Sequence, residues 1–437
     1  MNQELKELFK GHLDSRLDKI NNILDELELD GLVIDAGKEQ YFFEDDQTQN
    51  FRTSHHFNYL CPEHAPASLL VLKKGEKPKF FGFRPVDFWH ETAVSDEGIW
   101  QDQYDVSWFA KDSEVDEQLK QFKSFAYMGP DSVVALDAGL KVNVPGLKER
   151  LNWERSFKTP YEMACMRQAT SWGANGHKKA KEAFLSGGSE YEIHLAFLQG
   201  TQQTDDQLPY HTIVCLNEKG AILHYHKKRH QRNGQSLLID AGARFLGYGS
   251  DITRTYAADS AHPVFKSLVQ DMERAQIELV QSAKVGDTFV DMHERTHHLI
   301  ANLLKDHEII KGMSVDEMVA SDVTKVFFPH GFGHMLGLLV HDVAGKQSDP
   351  YGTPTEVDPK HPNLRSQRVI DEGFLFTVEP GLYFIDMLLD GVKGKDHASQ
   401  FNWDLIEALK PFGGIRIEDN VAIINGETVN MTREVLP

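Results

Sequence analysis

Four carboxylates stand where the surrounding pattern calls for apolar side chains. Asp240 ends the run SLLIDAG, and Asp251 follows in YGSDITRTY, with Thr253 and Thr255 on its face by the two-residue period of a strand. Glu379 follows the apolar residues of FTVEPGLYF. Glu418 shares a face with Arg416 in GGIRIEDN, because both alternate with Ile415 and Ile417. Burying ionised carboxylates is costly unless they are paired or bound to a metal. Taken alone, Asp240 and Asp251 would also suit exposed strand ends; four such acids together ask for a common neutralising partner.

The stretch FFPHGFGHMLGLLVHD, residues 327–342, points to that partner. It sets His330, His334 and His341 among glycine and apolar residues. Converging carboxylates repel one another and take up protons, whereas two divalent cations would offset four negative charges. Oxygen-rich ligation with one or a few imidazoles suits manganese, cobalt or zinc. Gly331, Gly333 and Gly337 allow close backbone approach, so one imidazole of this loop is expected to ligate and the others to line the pocket. The pairs His55–His56 and His297–His298 lie among polar neighbours and are expected at the surface.

The elements that must position these groups fall into two parts. A chain of 437 residues exceeds one ordinary core. Residues 1–157 read as a mixed α/β domain, in which an amphipathic helix (Leu5, Leu8, Phe9, Leu13, Leu17, Ile20) leads into the strand GLVIDA. Residues 158–437 carry long helices, one opened by a Ser189–Glu192 capping box, followed by antiparallel strand pairs, which is an α+β pattern. The hydrophobic share of 41% and charged share of 26% are those of a globular protein. With no apolar segment at the start and no run long enough to span a bilayer, a cytoplasmic location and no membrane partner are expected. Cys61, Cys165 and Cys215 suit reduced thiols. A net charge of −20 argues against a nucleic-acid partner. The one basic run, His226–Gly234, ends in Asn-Gly and reads as a solvated hairpin tip.

The ordered set Asp240, Asp251, His334, Glu379 and Glu418 resembles the five-ligand dinuclear site of the pita-bread metallopeptidases, a group that includes methionine aminopeptidase, aminopeptidase P, prolidase and creatinase. Within it, the stretches FRPVDFWH, LPYHTIVCLNEKGAILHYH, FFPHGFGHMLGLLVHD, FTVEPGLYFID and PFGGIRIEDN are most similar to bacterial Xaa-Pro dipeptidases and the related organophosphorus acid anhydrolases. The resemblance implies a pita-bread catalytic domain, a smaller creatinase-like amino-terminal domain and a homodimer. It also implies two divalent ions, manganese first and cobalt or zinc accepted, with Asp251 and Glu418 bridging. The implied reaction is hydrolysis of an Xaa-Pro dipeptide by a hydroxide held between the ions. Glu379 would serve as general base, His341 would stabilise the oxyanion, and His330 would stand close behind. Arg416 would grip the substrate carboxylate, His224 and Tyr210 would line the pocket, and Asp46 or Asp45 would reach over from a partner subunit to the substrate amine. Three other readings remain open: hydrolysis of organophosphorus triesters as a side activity, aminopeptidase P activity on longer peptides, and a non-catalytic binding protein.

Overall fold

The computed structural model describes residues 3–89 and 98–437. His90, the last residue of FRPVDFWH, lies outside them. By compactness the chain divides into one unit of Met1–Cys165 with Gln347–Thr353 and a second of Met166–Lys346 with Pro354–Pro437.

The first unit is built on a six-stranded mixed sheet. Its strand Leu32–Asp35 pairs antiparallel with Leu69–Leu72 and parallel with Ala126–Met128. Leu69–Leu72 pairs in turn antiparallel with Lys79–Phe83, across a turn in which Gly75 takes a positive φ of 75°. The leading helix Gln3–Glu26 buries Phe9, Leu13 and Ile20 of the stripe read from its sequence, leaves Leu5, Leu8 and Leu17 half-buried, and adds Ile23 and Leu24 to the buried face.

In the second unit one pattern occurs twice: two helices, then three antiparallel strands. Helices Pro160–Leu185 and Glu190–Thr201 precede a sheet made by Ile213–Leu216, Ser236–Asp240 and Thr253–Ala257. Helices Pro263–Ser282 and Phe289–Asp306 precede one made by Leu375–Val378, Asp419–Ile424 and Glu427–Asn430. The strand Ser236–Asp240 is apolar at its centre, Leu237–Ile239, because both its faces are covered. Leu237 and Ile239 pack with Phe184, Ile193 and Phe197 of the helices, while Leu238 packs with Ile213, Cys215 and Tyr383. By strand alternation Asp240 lies on the Leu238 side.

Three expectations need correction. His56 and His297 are buried, each on a helix whose inner face the polar neighbours in sequence disguise; His55 is half-buried, and only His298 is exposed. Asp251 stands just before the strand Thr253–Ala257 rather than inside it. The basic run is exposed over most of its length, but it is not the tip of a tight hairpin. It belongs to a long connection between two paired strands, and Arg229 is drawn in by the buried carboxylate of Glu190, with Nη2 2.8 Å from Oε1.

Candidate metal centre

The five expected ligands come from five places in the second unit that backbone pairing holds together. Thr253 pairs opposite Asp240 across the first sheet. An isolated bridge joins Thr253 to Glu418, with the Glu418 amide donating to the Thr253 carbonyl at 3.0 Å. The histidine loop lies along the strand Leu375–Val378. The Thr377 amide donates to the His334 carbonyl at 2.9 Å, the Glu379 amide to the Phe332 carbonyl at 2.7 Å, and the His334 amide to Thr377 Oγ1 at 3.1 Å. Gly333 makes this approach possible: a Cβ there would stand 1.9 Å from the Thr377 carbonyl oxygen. Gly242 does the same between Asp240 and Asp251, where a Cβ would lie 1.8 Å from the Ser250 carbonyl oxygen.

All five groups face one cavity of about 820 Å³, together with His224, His330, His341, Arg365 and Arg416. Asp251, His334 and Glu418 each offer a ligand atom within 4.8 Å of the other two. His334 Nε2 is 3.4 Å from Asp251 Oδ2 and 3.6 Å from Glu379 Oε1. These separations are long for hydrogen bonds, but close to the roughly 3.0–3.5 Å between two donors that share one cation through bonds of about 2.0–2.2 Å. Its other nitrogen, Nδ1, stands 3.1 Å from the Met335 carbonyl and in that way fixes the ring.

The electrostatics also ask for cations. Burial, then the neighbouring Asp240, pushes the Asp251 carboxyl up to about 8. Glu418 is raised by burial and by Asp251 and Asp240, and Glu379 by burial and by Glu418. Without positive charge this pocket holds protons; with it, the same oxygens become an anionic ligand set. The donors therefore fit the divalent pair that the ordered acids imply.

Other side chains hold these groups in place. Tyr210 is not among the residues lining the cavity: its hydroxyl lies 2.7 Å from Asp240 Oδ1 and 2.5 Å from Asp251 Oδ1. Thr253 Oγ1 donates to Glu418 Oε2 at 2.6 Å. Arg416 spends its guanidinium on the protein, with Nη2 2.7 Å from Asp240 Oδ2, Nη1 2.9 Å from the Tyr383 hydroxyl and Nε 3.2 Å from Thr253 Oγ1. His330 Nε2 is 2.9 Å from the same Tyr383 hydroxyl, and its Nδ1 is 3.7 Å from Glu379 Oε2. Burial, then Arg416, holds His330 down at about 3, so it is neutral. Asp45 and Asp46 are exposed residues of the first unit.

Sequence reading missed Arg365. This side chain lines the cavity and is exposed, and no hydrogen bond or ion pair ties it to the protein among the described residues. Its segment, KHPNLRSQR, has neither apolar periodicity nor ligand spacing, so no local signal marks it. Tyr383, in the strand Gly381–Tyr383, is likewise unmarked by any local signal.

A cavity that gathers the four expected carboxylates and an imidazole, with further histidines and a free arginine on its walls, defines the class as a metal-dependent hydrolase. Comparison with known proteins narrows this. Residues 164–425 match the model of metallopeptidase family M24, and residues 7–153 match the amino-terminal domain of Xaa-Pro dipeptidase. The chain belongs to metallopeptidase family M24. Xaa-Pro dipeptidases of Cronobacter sakazakii and Escherichia coli O157:H7 are each 40% identical to it, with 99% of both chains covered. Its fold is similar to that of aminopeptidase PepP from Pseudomonas aeruginosa, at 22% identity and TM-score 0.74 with 97% of this chain and 95% of the other covered. Proline aminopeptidase P II from Yersinia pestis gives 24%, 0.72 and 96% of both chains. The creatinase-like, pita-bread α+β architecture is thereby established. No helix among the described residues is long and apolar enough to cross a membrane.

Proposed function

We propose that the protein is a dinuclear-metal dipeptidase that hydrolyses the bond between any residue and a carboxy-terminal proline. The observation that carries this reading is the free guanidinium of Arg365 in the cavity that holds the acid cluster; the 40% identity to Xaa-Pro dipeptidases over nearly the whole chain supports it. Asp240, Asp251, His334, Glu379 and Glu418 would hold two divalent ions, manganese first for a set in which oxygen donors outnumber the imidazole, with cobalt and zinc accepted by the same donors. When bound, the ions supply Lewis acidity that brings the pKa of a water towards roughly 7 and polarises the scissile carbonyl.

The chain's own residues do the rest. Glu379 takes the proton of the attacking water and delivers it to the proline nitrogen, a tertiary amide nitrogen that leaves only once protonated. His330, fixed by the Tyr383 hydroxyl and the Gly331 carbonyl, stands beside Glu379 with Nδ1 3.7 Å from Oε2. His341 donates to the carbonyl oxygen as negative charge develops there; a single such donor is typically worth roughly 3–4 kcal/mol. His224 lines the substrate side of the same cavity. Arg416 fixes Asp240 and Tyr383, and Arg365 meets the free carboxylate of a dipeptide. An amide or a longer peptide offers no anion at that point. The exposed Asp46, or Asp45, would meet the substrate amine of a partner subunit in a homodimer. The large apolar side chains that the first unit exposes, Phe43 at 91% and Phe88 at 85%, favour such an interface.

The test is metal-stripped protein reconstituted with manganese, cobalt or zinc and offered Leu-Pro, Leu-Pro-Gly, Leu-Pro-amide and a fluorophosphate triester. Cleavage confined to Leu-Pro is expected among the peptides, and only after an ion is added. Faster release of leucine from Leu-Pro-Gly would replace the dipeptidase by an aminopeptidase P activity, and turnover of Leu-Pro by the stripped protein would refute the mechanism.

A further inference from the structure

A second cluster of ligating side chains opens onto the same cavity and takes no part in the proposed reaction. His293 and His297 stand one turn apart on the helix Phe289–Asp306, in the local pattern His-Glu-Arg-Thr-His, the spacing by which a helix presents two imidazoles to one cation. His361 joins them from a distant loop. One ring nitrogen of each lies within 4.8 Å of those of the other two, and all three residues are buried.

The details are those of a built site. His297 Nδ1 is 2.9 Å from Thr324 Oγ1, which leaves Nε2 turned towards Nε2 of His293 at 3.2 Å. Two nitrogens bound tetrahedrally at roughly 2.0–2.1 Å lie about 3.3–3.4 Å apart, so this pair is already at the spacing of two ligands on one ion. His361 Nε2 is 2.8 Å from Glu294 Oε1, so a carboxylate backs one nitrogen of that ring and its other nitrogen is free to ligate. Nδ1 of His293 has no hydrogen-bond partner although the residue is only 5% exposed. Buried ring nitrogens are usually paired, so this one is open to a partner. The nearest cation, Lys325, is offset by Asp322, with Nζ 2.9 Å from Oδ1.

We propose that His293, His297 and His361 form a third, mononuclear metal site for a borderline transition ion such as zinc, cobalt or nickel. Three imidazoles select such ions over magnesium and calcium, which prefer oxygen. Glu294 orients His361 rather than facing the cavity as a base, so the site binds and does not hydrolyse. Phe328 packs against both His293 and His330, with ring centroids at 5.5 Å and 4.7 Å, so the third ion would sit in the wall next to the reaction site. The inference goes beyond the dipeptidase reading and survives or fails without it.

Metal-stripped full-length protein titrated with cobalt is expected to take up three equivalents, followed by visible ligand-field absorption. His361→Gln, in a loop, should lower this to two, as should His293→Asn with His297→Asn. Asp251→Asn with Glu418→Gln should instead leave the three-histidine ion in place. Should the helix variant misfold, an anomalous difference map of cobalt-soaked wild-type crystals decides by a peak among the three imidazoles. Two equivalents in the wild type with no such peak, or a third equivalent untouched by His361→Gln, would overturn the proposal.

Discussion

Replacing Gly333 by alanine tests whether the centre depends on close backbone approach rather than on ligand identity alone. The substitution leaves every candidate ligand in the sequence. Its Cβ would stand 1.9 Å from the Thr377 carbonyl oxygen and 3.2 Å from Thr377 Oγ1. An ordinary non-bonded contact needs roughly 3.5 Å, so the histidine loop and the strand Leu375–Val378 must separate by about 1.5 Å. The first obstacle is backbone and cannot rotate away. The separation falls on the bonds that align His334 with Thr377, at 2.9 Å and 3.1 Å, and so moves His334 away from Asp251 and Glu379. A displacement of about 1 Å in reacting or positioning groups costs on the order of 100-fold in rate. We expect Gly333→Ala to lose at least that factor in kcat/KM for Leu-Pro at saturating manganese, and to bind fewer ions per chain by elemental analysis. Gly394→Ala is the control, because nothing lies within 4 Å of its Cβ position. Wild-type kcat/KM and metal content in Gly333→Ala would refute the reasoning.

Three other outcomes follow from side-chain geometry. Tyr210→Phe removes the hydroxyl that touches both Asp240 and Asp251 and should weaken metal retention about 10–100-fold in a chelator competition, with kcat nearly unchanged once metal saturates. Arg365→Met should raise KM for Leu-Pro by roughly 10–100-fold, the worth of a charge-assisted pair, and erase discrimination against Leu-Pro-amide; an unchanged ratio of the two would return the carboxylate to Arg416. The third concerns pH. In the metal-free protein Asp251 is raised to about 8, and Glu379 and Glu418 are raised as well. A carboxyl raised on folding contributes stability that is complete below its unfolded pKa of roughly 4 and is lost as pH climbs through the folded value. Calorimetry should therefore find the Tm gap between metal-loaded and metal-free protein wider at pH 8 than at pH 5, and a constant gap would contradict the assignment.

The acids were legible because of what surrounds them. A carboxylate after Leu237–Ile239, or between Ile417 and the buried strand Asp419–Ile424, breaks a pattern that burial explains everywhere else, and the cost of burying charge turns that break into chemistry. The histidine loop was legible for the same reason, since Gly333 and its neighbours relax the pattern without making it polar. The failures have the opposite cause. His297 and His361 lie in polar segments, and their burial comes from tertiary contacts between a helix and a loop 64 residues apart in sequence. Arg365 and Arg416 show a subtler limit. Alternation placed Arg416 correctly beside Glu418, but the use of a guanidinium depends on which partners reach it first. Asp240, Thr253 and Tyr383, brought together by the pairing of strands far apart in the chain, reach Arg416 before any substrate does. Arg365 has no such partner among the described residues and stays unpaired in the cavity. Single-strand patterns thus reveal which residues are costly to bury, whereas the availability of a charge for substrate is decided by the remainder of the fold.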